Sequence, residues 1–448
     1  MQNSVVNEKI TTENKQNSNI ALRLILIFVA AIIVIATSFI IFFKIKKDVE
    51  RSNSIHFAFV SQEYVDYVTN PEHNINGIED IGNVDDVIYN ESDEDSFVSI
   101  KISDLPSPDN KNISSDFFKM KLSDNEKIVY DAVLYAYSNG YNYIGFSTKM
   151  FTSQMLSRAT FLLMCDNPFI EINLERTILT KDNYVYLFFP HMTAEKKHYN
   201  DKAYEEALKV INNIPDFLET EYDVAKYLYE SLVCNTKFTT DTNYDSGIEP
   251  SLYHGISGAT TNCDGFANAL TLLFNMAGIE CFKVFYDGTE TASGHGWCVA
   301  EIDGSYYHLD PSNDAAVYQV IQSTDVFSFL CASDEVKLVN SYYHESIRDL
   351  VPACVDTRYD YANVDIHIDA TDVQTAISNA IDEVDKLGLQ EDMTDRDFFL
   401  INFTLLNGMD SSVRDSFING FIQKLNKKYV VEGHAYIGAG TLFILLTV

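Results

Sequence analysis

The chain has 448 residues, 46% of them hydrophobic and 22% charged, with a formal net charge of −33. That composition is ample for packed cores, and the length suits about three domains. The acidic excess argues against nucleic acid as a partner and against docking on anionic lipid through a basic patch.

From the N-terminus, residues 1–19 are polar, lack apolar periodicity and read as a disordered cytoplasmic tail. Residues 20–43 read as a transmembrane helix, because Leu24 to Phe43 is uncharged and mostly apolar over 20 residues. At 1.5 Å per residue such a stretch spans roughly 30 Å, the thickness of a bilayer core. It is too long for a signal-peptide core, and no small-residue cleavage site follows it. Lys9, Lys15 and Arg23 precede it while Lys44, Lys46, Lys47 and Arg51 follow it, so the charge bias does not decide its orientation. Residues 44–113 read as an acidic tether. Ser52 to Ile100 contains no Lys or Arg and is dense in Asp, Glu, Asn and Ser, which makes a chain repel itself and extend. It contains no Asp-x-Asp-x-Asp-Gly loop for calcium.

Residues 114–217 read as a helical α+β leader. Ser123-Asp124-Asn125-Glu126 is a capping box, followed by Ile128, Val129, Val133 and Tyr137 and then Gly140 as a stop. Further helices are predicted over Lys149 to Met164 and Lys196 to Asn212, with a strand over Tyr184 to Phe189.

Residues 218–352 hold the chemistry. A helix over Glu219 to Cys234, with Val224, Tyr227, Leu228 and Ser231 on one face, is expected to pack on a second helix opened by Cys263. In that second helix Phe266, Leu270, Leu273 and Ala277 share a face, and Gly278 stands where a left-handed residue ends it. Thr261 or Asn262 can cap its start, which puts Cys263 in the first turn, where the helix dipole favours a thiolate. Asp264 opposes this, so a nearby histidinium is required. A hairpin supplies one. Asp303-Gly304 separates two apolar and aromatic runs, the signal for a two-residue type I′ turn. If Ile302 pairs with Ser305, Trp297 faces Asp310 and Val299 faces His308. His295 then lies one diagonal step from Asp310 on the same sheet face, and a slip of one residue would separate them. Cysteine, histidine and aspartate so placed make a thiol triad. His308 shares the face and is the rival base, although it sits across from apolar Val299.

Residues 353–448 alternate strand and helix periods: Val364 to Ile368, Val373 to Leu387, Phe398 to Leu405, Val413 to Leu425, and Tyr429 onward. They read as a small α+β domain. The final run, Ala435 to Val448, is too short to span a bilayer and reads as a buried terminal strand. The seven cysteines are odd in number and scattered, which argues against a disulfide framework. With no C-x-x-C pair, no zinc or other cofactor is expected. Cys281 and Cys298 read as small core hydrophobes.

Cys263-Asp264-Gly265-Phe266-Ala267, Gly294-His295-Gly296-Trp297 and Tyr306-Tyr307-His308-Leu309-Asp310 are similar to the three ordered motif blocks of the transglutaminase-like superfamily. The resemblance implies a papain-like α+β core with Cys263 as nucleophile, His295 as base and Asp310 as its orienter. It also implies a protein or peptide substrate. Helical leaders with an Asp-Asn-Pro turn, here Asp166-Asn167-Pro168, precede many such bacterial cores. Analogy with membrane-anchored relatives in Gram-positive bacteria places the soluble part outside the cell. Cys298 stands where the family often has asparagine. Trp297 and Tyr253 are the candidate substrate-contacting aromatics, with Trp297 equally suited to the core. The reaction expected is acyl transfer from an amide or ester, to water or to an amine. The alternative is a surface binding or scaffold protein carrying an inactive core.

Overall fold

The computed structural model of the chain describes residues 37, 41–46, 49, 52–58, 98–106, 113–170, 177–181, 183–189, 194–240, 252–286, 294–322, 324, 327–338, 342–360, 365–386, 398–403, 411–427, 431–436 and 441–446. Among them no helix is long and apolar enough to cross a membrane. The span expected over 20–43 lies outside them except at positions 37 and 41–43, where the backbone is helical and Ile41, Phe42 and Phe43 are exposed.

The leader is built on a five-stranded sheet ordered β2-β1-β3-β5-β4. Its strands are β1 (Ser54–Ala58), β2 (Val98–Lys101), β3 (Tyr143–Ser147), β4 (Thr177–Lys181) and β5 (Tyr184–Phe188), each antiparallel to its neighbours. The tether expected over 44–113 is thereby corrected at both ends. From Ser54 to Phe57 burial alternates, with Ile55 and Phe57 fully buried and Ser54 and His56 not, the period-2 signature of a half-buried strand. Two runs this short do not stand out beside the acidic stretch that joins them, and positions 59–97 lie outside the described residues.

Helices α1 (Asp124–Ser138) and α2 (Ser153–Asp166) pack on each other and on this sheet. The capping box forms: Ser123 Oγ accepts the Glu126 N–H, and the Glu126 carboxylate accepts the Ser123 N–H. At the end of α2, buried Asp166 accepts the N–H groups of Phe118 and Lys119 and the Tyr130 hydroxyl, which fixes the segment leading into α1.

The next elements are α3 (Ala194–Asn212), α4 (Glu221–Asn235), β6 (Lys237–Phe238), α5 (Leu252–Ile256), β7 (Thr260–Thr261) and α6 (Cys263–Met276). They are followed by β8 (Cys281–Tyr286), β9 (His295–Ile302), β10 (Ser305–Leu309), α7 (Pro311–Ile321) and α8 (Asp334–Lys337). Every residue of α6 from Gly265 to Asn275 is buried, so this helix is the centre of its core rather than an amphipathic lid. The expected face of α4 is shifted. Ala225, Leu228, Tyr229, Leu232 and Val233 are its buried residues, because α4 packs against both α6 and α7 and Tyr229 donates to Asp314 on α7 at 2.6 Å.

The sheet β10-β9-β8 is antiparallel and covered on both faces. Cys281, Cys298, Ala300, Ile302, Tyr307 and Leu309 join the core with α4 and α6. Phe282, Val284, Trp297 and Val299 join the leader's core, where Phe117 stacks on Phe282 at 4.0 Å. Burying such side chains contributes roughly 1.5–3 kcal/mol each, so the sheet is held from both sides.

The C-terminal part has a sheet ordered β11-β12-β14-β13, from β11 (Ile366–Ile368), β12 (Phe398–Phe403), β13 (Val431–Tyr436) and β14 (Thr441–Leu446). Parallel β11 and β12 are joined through α9 (Val373–Lys386), and α10 (Ser411–Leu425) follows. Ala376, Ile377, Ala380 and Val384 of α9 pack with Phe417 and Phe421 of α10 over Ile401 and Phe403.

Candidate active site

Cys263 is the first residue of α6 and is half-buried. Of the two possible caps, Asn262 does the work: its side chain accepts the Gly265 N–H at 3.1 Å. Gly265 is required by crowding, since a Cβ there would lie 2.0 Å from the hydroxyl of buried Thr261 on β7. The charge of Asp264 beside the sulfur is partly met by Lys283, whose Nζ is 3.6 Å from Asp264 Oδ1.

The hairpin forms in the expected register, with Ser305 opposite Ile302, His308 opposite Val299 and Leu309 opposite Cys298. Asp303 and Gly304 have φ of 50° and 78°, the two positive values a type I′ turn requires. Beyond the strand end His295 Nε2 lies 2.7 Å from Asp310 Oδ2. The Cys263 side chain is near enough to the ring to help raise its pKa. The structure therefore joins His295 of β9 to Asp310 at the end of β10, with Cys263 at the start of α6 among the groups that act on the ring.

Asp310 is fully buried and is the N-cap of α7. Its Oδ1 accepts from Ser312 Oγ at 2.8 Å and the Asn313 N–H at 3.2 Å. Its Oδ2 accepts from His295, from Asn313 Nδ2 at 2.7 Å, and from the Lys337 ammonium. Burial alone would raise the carboxyl pKa, but the Lys337 and His295 charges and these hydrogen bonds outweigh it and hold the group well below the usual carboxylate range. Burial would likewise lower the pKa of His295. The Asp310 charge and hydrogen bond, with the Cys263 contact, overcome that and raise it to about 9, against an opposing contribution from Lys337.

Both ring nitrogens of His308 are taken by other partners. The Trp297 indole N–H donates to its Nδ1 at 3.0 Å, so the proton of the neutral ring sits on Nε2, 2.9 Å from Asp334 Oδ1. Burial lowers its pKa. Cys354 lies close by, and ligand atoms of His308, Asp334 and Cys354 fall within 4.8 Å of one another. A metal at Nε2 would need the electron pair that this tautomer has protonated, so hydrogen bonding takes up the cluster. Trp297 is fully buried, which corrects its candidacy as a substrate contact. It stacks between His295 and Tyr343, at 5.8 and 5.9 Å, and backs the imidazole. Tyr253 rests on Tyr199 of α3 at 5.2 Å, under Lys202, and none of its described contacts reaches the three residues above.

Reading the sequence missed Lys337, Ser312 and Asn313. The cap had a signal, since Asp310-Pro311 is an N-cap followed by proline at the first helical position. Lys337 is the one Lys or Arg between Lys283 and Arg348 and is flanked by Val336 and Leu338. Its partner follows only from the tertiary fold.

No family model matches the chain, and no curated protein sequence matches it. Solved structures similar to it include one described as a TGase, at 13% identity and a TM-score of 0.21, over 36% of this chain and 48% of the other. A candidate protease from Parabacteroides distasonis aligns at 12% identity and a TM-score of 0.21, over 32% of this chain and 36% of the other. A candidate cysteine protease from Cytophaga hutchinsonii aligns at 11% identity and a TM-score of 0.20, over 32% of this chain and 62% of the other. The chain thus spans less than two thirds of the length of each.

Proposed function

We propose that the chain is a transglutaminase-like cysteine enzyme that transfers acyl groups from protein or peptide amides through Cys263, His295 and Asp310. One observation carries the reading: the His295 imidazole is hydrogen-bonded to the buried Asp310 carboxylate, and a helix-first cysteine is among the groups that raise its pKa. A ring with its pKa raised to about 9 is charged at neutral pH and can hold Cys263 as a thiolate.

The thiolate attacks the carbonyl carbon, forming the C–S bond and a tetrahedral oxyanion. The Cys263 N–H, unpaired at the helix start, is the natural first donor to that oxyanion. His295 gives its proton to the leaving nitrogen, the C–N bond breaks, and a thioester remains. Water or an amine then attacks the thioester, His295 takes the proton of the attacking group, and the C–S bond breaks to regenerate the thiolate. Asp310 holds the ring orientation and stabilises its charge throughout without taking the proton. Attack by water makes the enzyme a peptidase or amidase, and attack by an amine makes it a cross-linking enzyme. We further propose that residues 20–43 anchor it in a membrane with the soluble part outside, which rests on hydrophobicity and analogy.

Thiol alkylation tests the reading. Iodoacetamide at pH 6.5 should modify Cys263 at least tenfold faster than any of the other six cysteines, and His295→Ala should abolish the difference. Equal reactivity across the seven would instead support a binding or scaffold role.

A further inference from the structure

We infer that Lys337 is a positioning residue of this site: its ammonium, carried on α8, clamps the buried Asp310 carboxylate and thereby sets how firmly His295 holds its proton. The inference rests on the proposed triad and goes beyond it by adding a fourth charged group, from an element that carries none of the three.

A lysine only 5% exposed has to be paired. Its described ion-pair partner is Asp310 Oδ2, the oxygen that also receives the His295 ring. The ammonium lies over the Trp297 ring at 4.6 Å and over the Phe329 ring at 4.9 Å, both buried, so water does not replace the carboxylate.

The placement of α8 is enforced by a second contact of the same kind. His308 stands two residues before Asp310 on β10, and Asp334 stands three residues before Lys337 on α8. His308 donates to Asp334 as Asp310 accepts from Lys337, which makes two rungs between the end of β10 and α8, with positions two apart matched to one helical turn. Asp334 is itself fixed, since its N–H donates to the Cys354 carbonyl at 2.8 Å and its Oδ2 accepts the Cys354 N–H at 3.1 Å. The neighbouring Ser333 is held by Asp360 through its N–H at 2.8 Å and its hydroxyl at 2.6 Å. A buried histidine without a catalytic role thus has a purpose: it sets the register of the lysine.

The charged and titratable groups facing His295 are Asp310 from the end of β10, Cys263 from α6, Lys337 from α8 and Tyr286 from β8, its ring 6.2 Å away. Lys337 faces Asp310, with Asp334 and Glu335 on its own short helix. Asp310 alone would bind the imidazolium so tightly that the ring gives up its proton reluctantly. A cation on the same oxygen moderates this, and a general acid works best when its pKa lies near the working pH.

The test is the titration of the His295 ring by nuclear magnetic resonance, assigned with His295→Ala, in wild-type protein and in the Lys337→Met, Lys337→Gln and Lys337→Arg variants. The neutral variants should move the midpoint upward by about one pH unit or more, and Lys337→Arg should restore it. A folded neutral variant whose midpoint stays put or falls overturns the inference. If neither neutral variant folds, the wild-type protein decides: a slowly exchanging Lys337 ammonium resonance at neutral pH is expected, and a rapidly exchanging one overturns the clamp. Slow alkylation of wild-type Cys263 would sink the enzymatic reading while leaving the titration result standing, so the two failures are distinguishable.

Discussion

Removing the Asp310 charge is the sharpest perturbation of this site. Asp310→Asn takes away the main force that lifts His295 from an ordinary 6.5 to about 9. At about 1.36 kcal/mol per pKa unit that interval corresponds to about 3 kcal/mol of stabilisation for the imidazolium. On the proposed mechanism the charged ring is what activates Cys263, so losing that stabilisation should slow the reaction of its sulfur. The single variant also strands the buried Lys337 ammonium, a cost of roughly 3–5 kcal/mol, and so needs a companion. Asp310→Asn combined with Lys337→Met removes both charges together. The assay is the second-order rate of iodoacetamide modification at pH 6.5, with Cys263 followed by peptide mass mapping and thermal melting as the folding control. Both folded variants should react at least tenfold more slowly than wild type. A folded double variant that alkylates at the wild-type rate would refute the coupling between carboxylate and thiol.

Other consequences follow from individual contacts. His295 has a pKa raised above its unfolded value, so the charged ring's contribution to stability is complete below pH 6.5 and is lost as pH rises through about 9. Denaturant unfolding should therefore show the cost of His295→Ala shrinking by up to ~3 kcal/mol between pH 6.5 and pH 9.5; a cost independent of pH contradicts the ion pair. His308→Ala leaves the Trp297 N–H and Asp334 short of a partner and should cost roughly 2–4 kcal/mol, while Cys263 keeps its fast alkylation; a slow thiol in that variant would make His308 the base. Asn262→Ala should cost about 1 kcal/mol by uncapping α6, and Asn262→Asp should cost less. Gly265→Ala has to displace Thr261 and should cost roughly 1–3 kcal/mol and slow Cys263 alkylation, whereas wild-type behaviour would show that the crowding relaxes freely.

The parts legible in the sequence were those governed by local rules. Asp303-Gly304 dictates one turn, the turn dictates the register, and the register dictates that His295 meets Asp310. The start of α6 was legible for the same reason, since capping is decided within four residues. What failed was long-range. The tether's composition hid β1 and β2, whose partners β1 and β3 lie across a long acidic stretch or in the leader. The buried face of α4 was misplaced because two neighbours, not one, cover it. Trp297 resisted assignment because its position next to His295 in sequence and space suited either role, and only burial separates them. Lys337 is joined to Asp310 across 27 residues by a contact that no spacing rule anticipates.

The most direct measurement of the acyl-transfer claim is intact-mass and peptide mapping of the protein after brief exposure to p-nitrophenyl acetate at neutral pH. A thioester on Cys263, absent from Cys263→Ala and strongly reduced in His295→Ala, is the predicted result. No adduct on Cys263, or acyl groups spread evenly over the cysteines, would contradict the account.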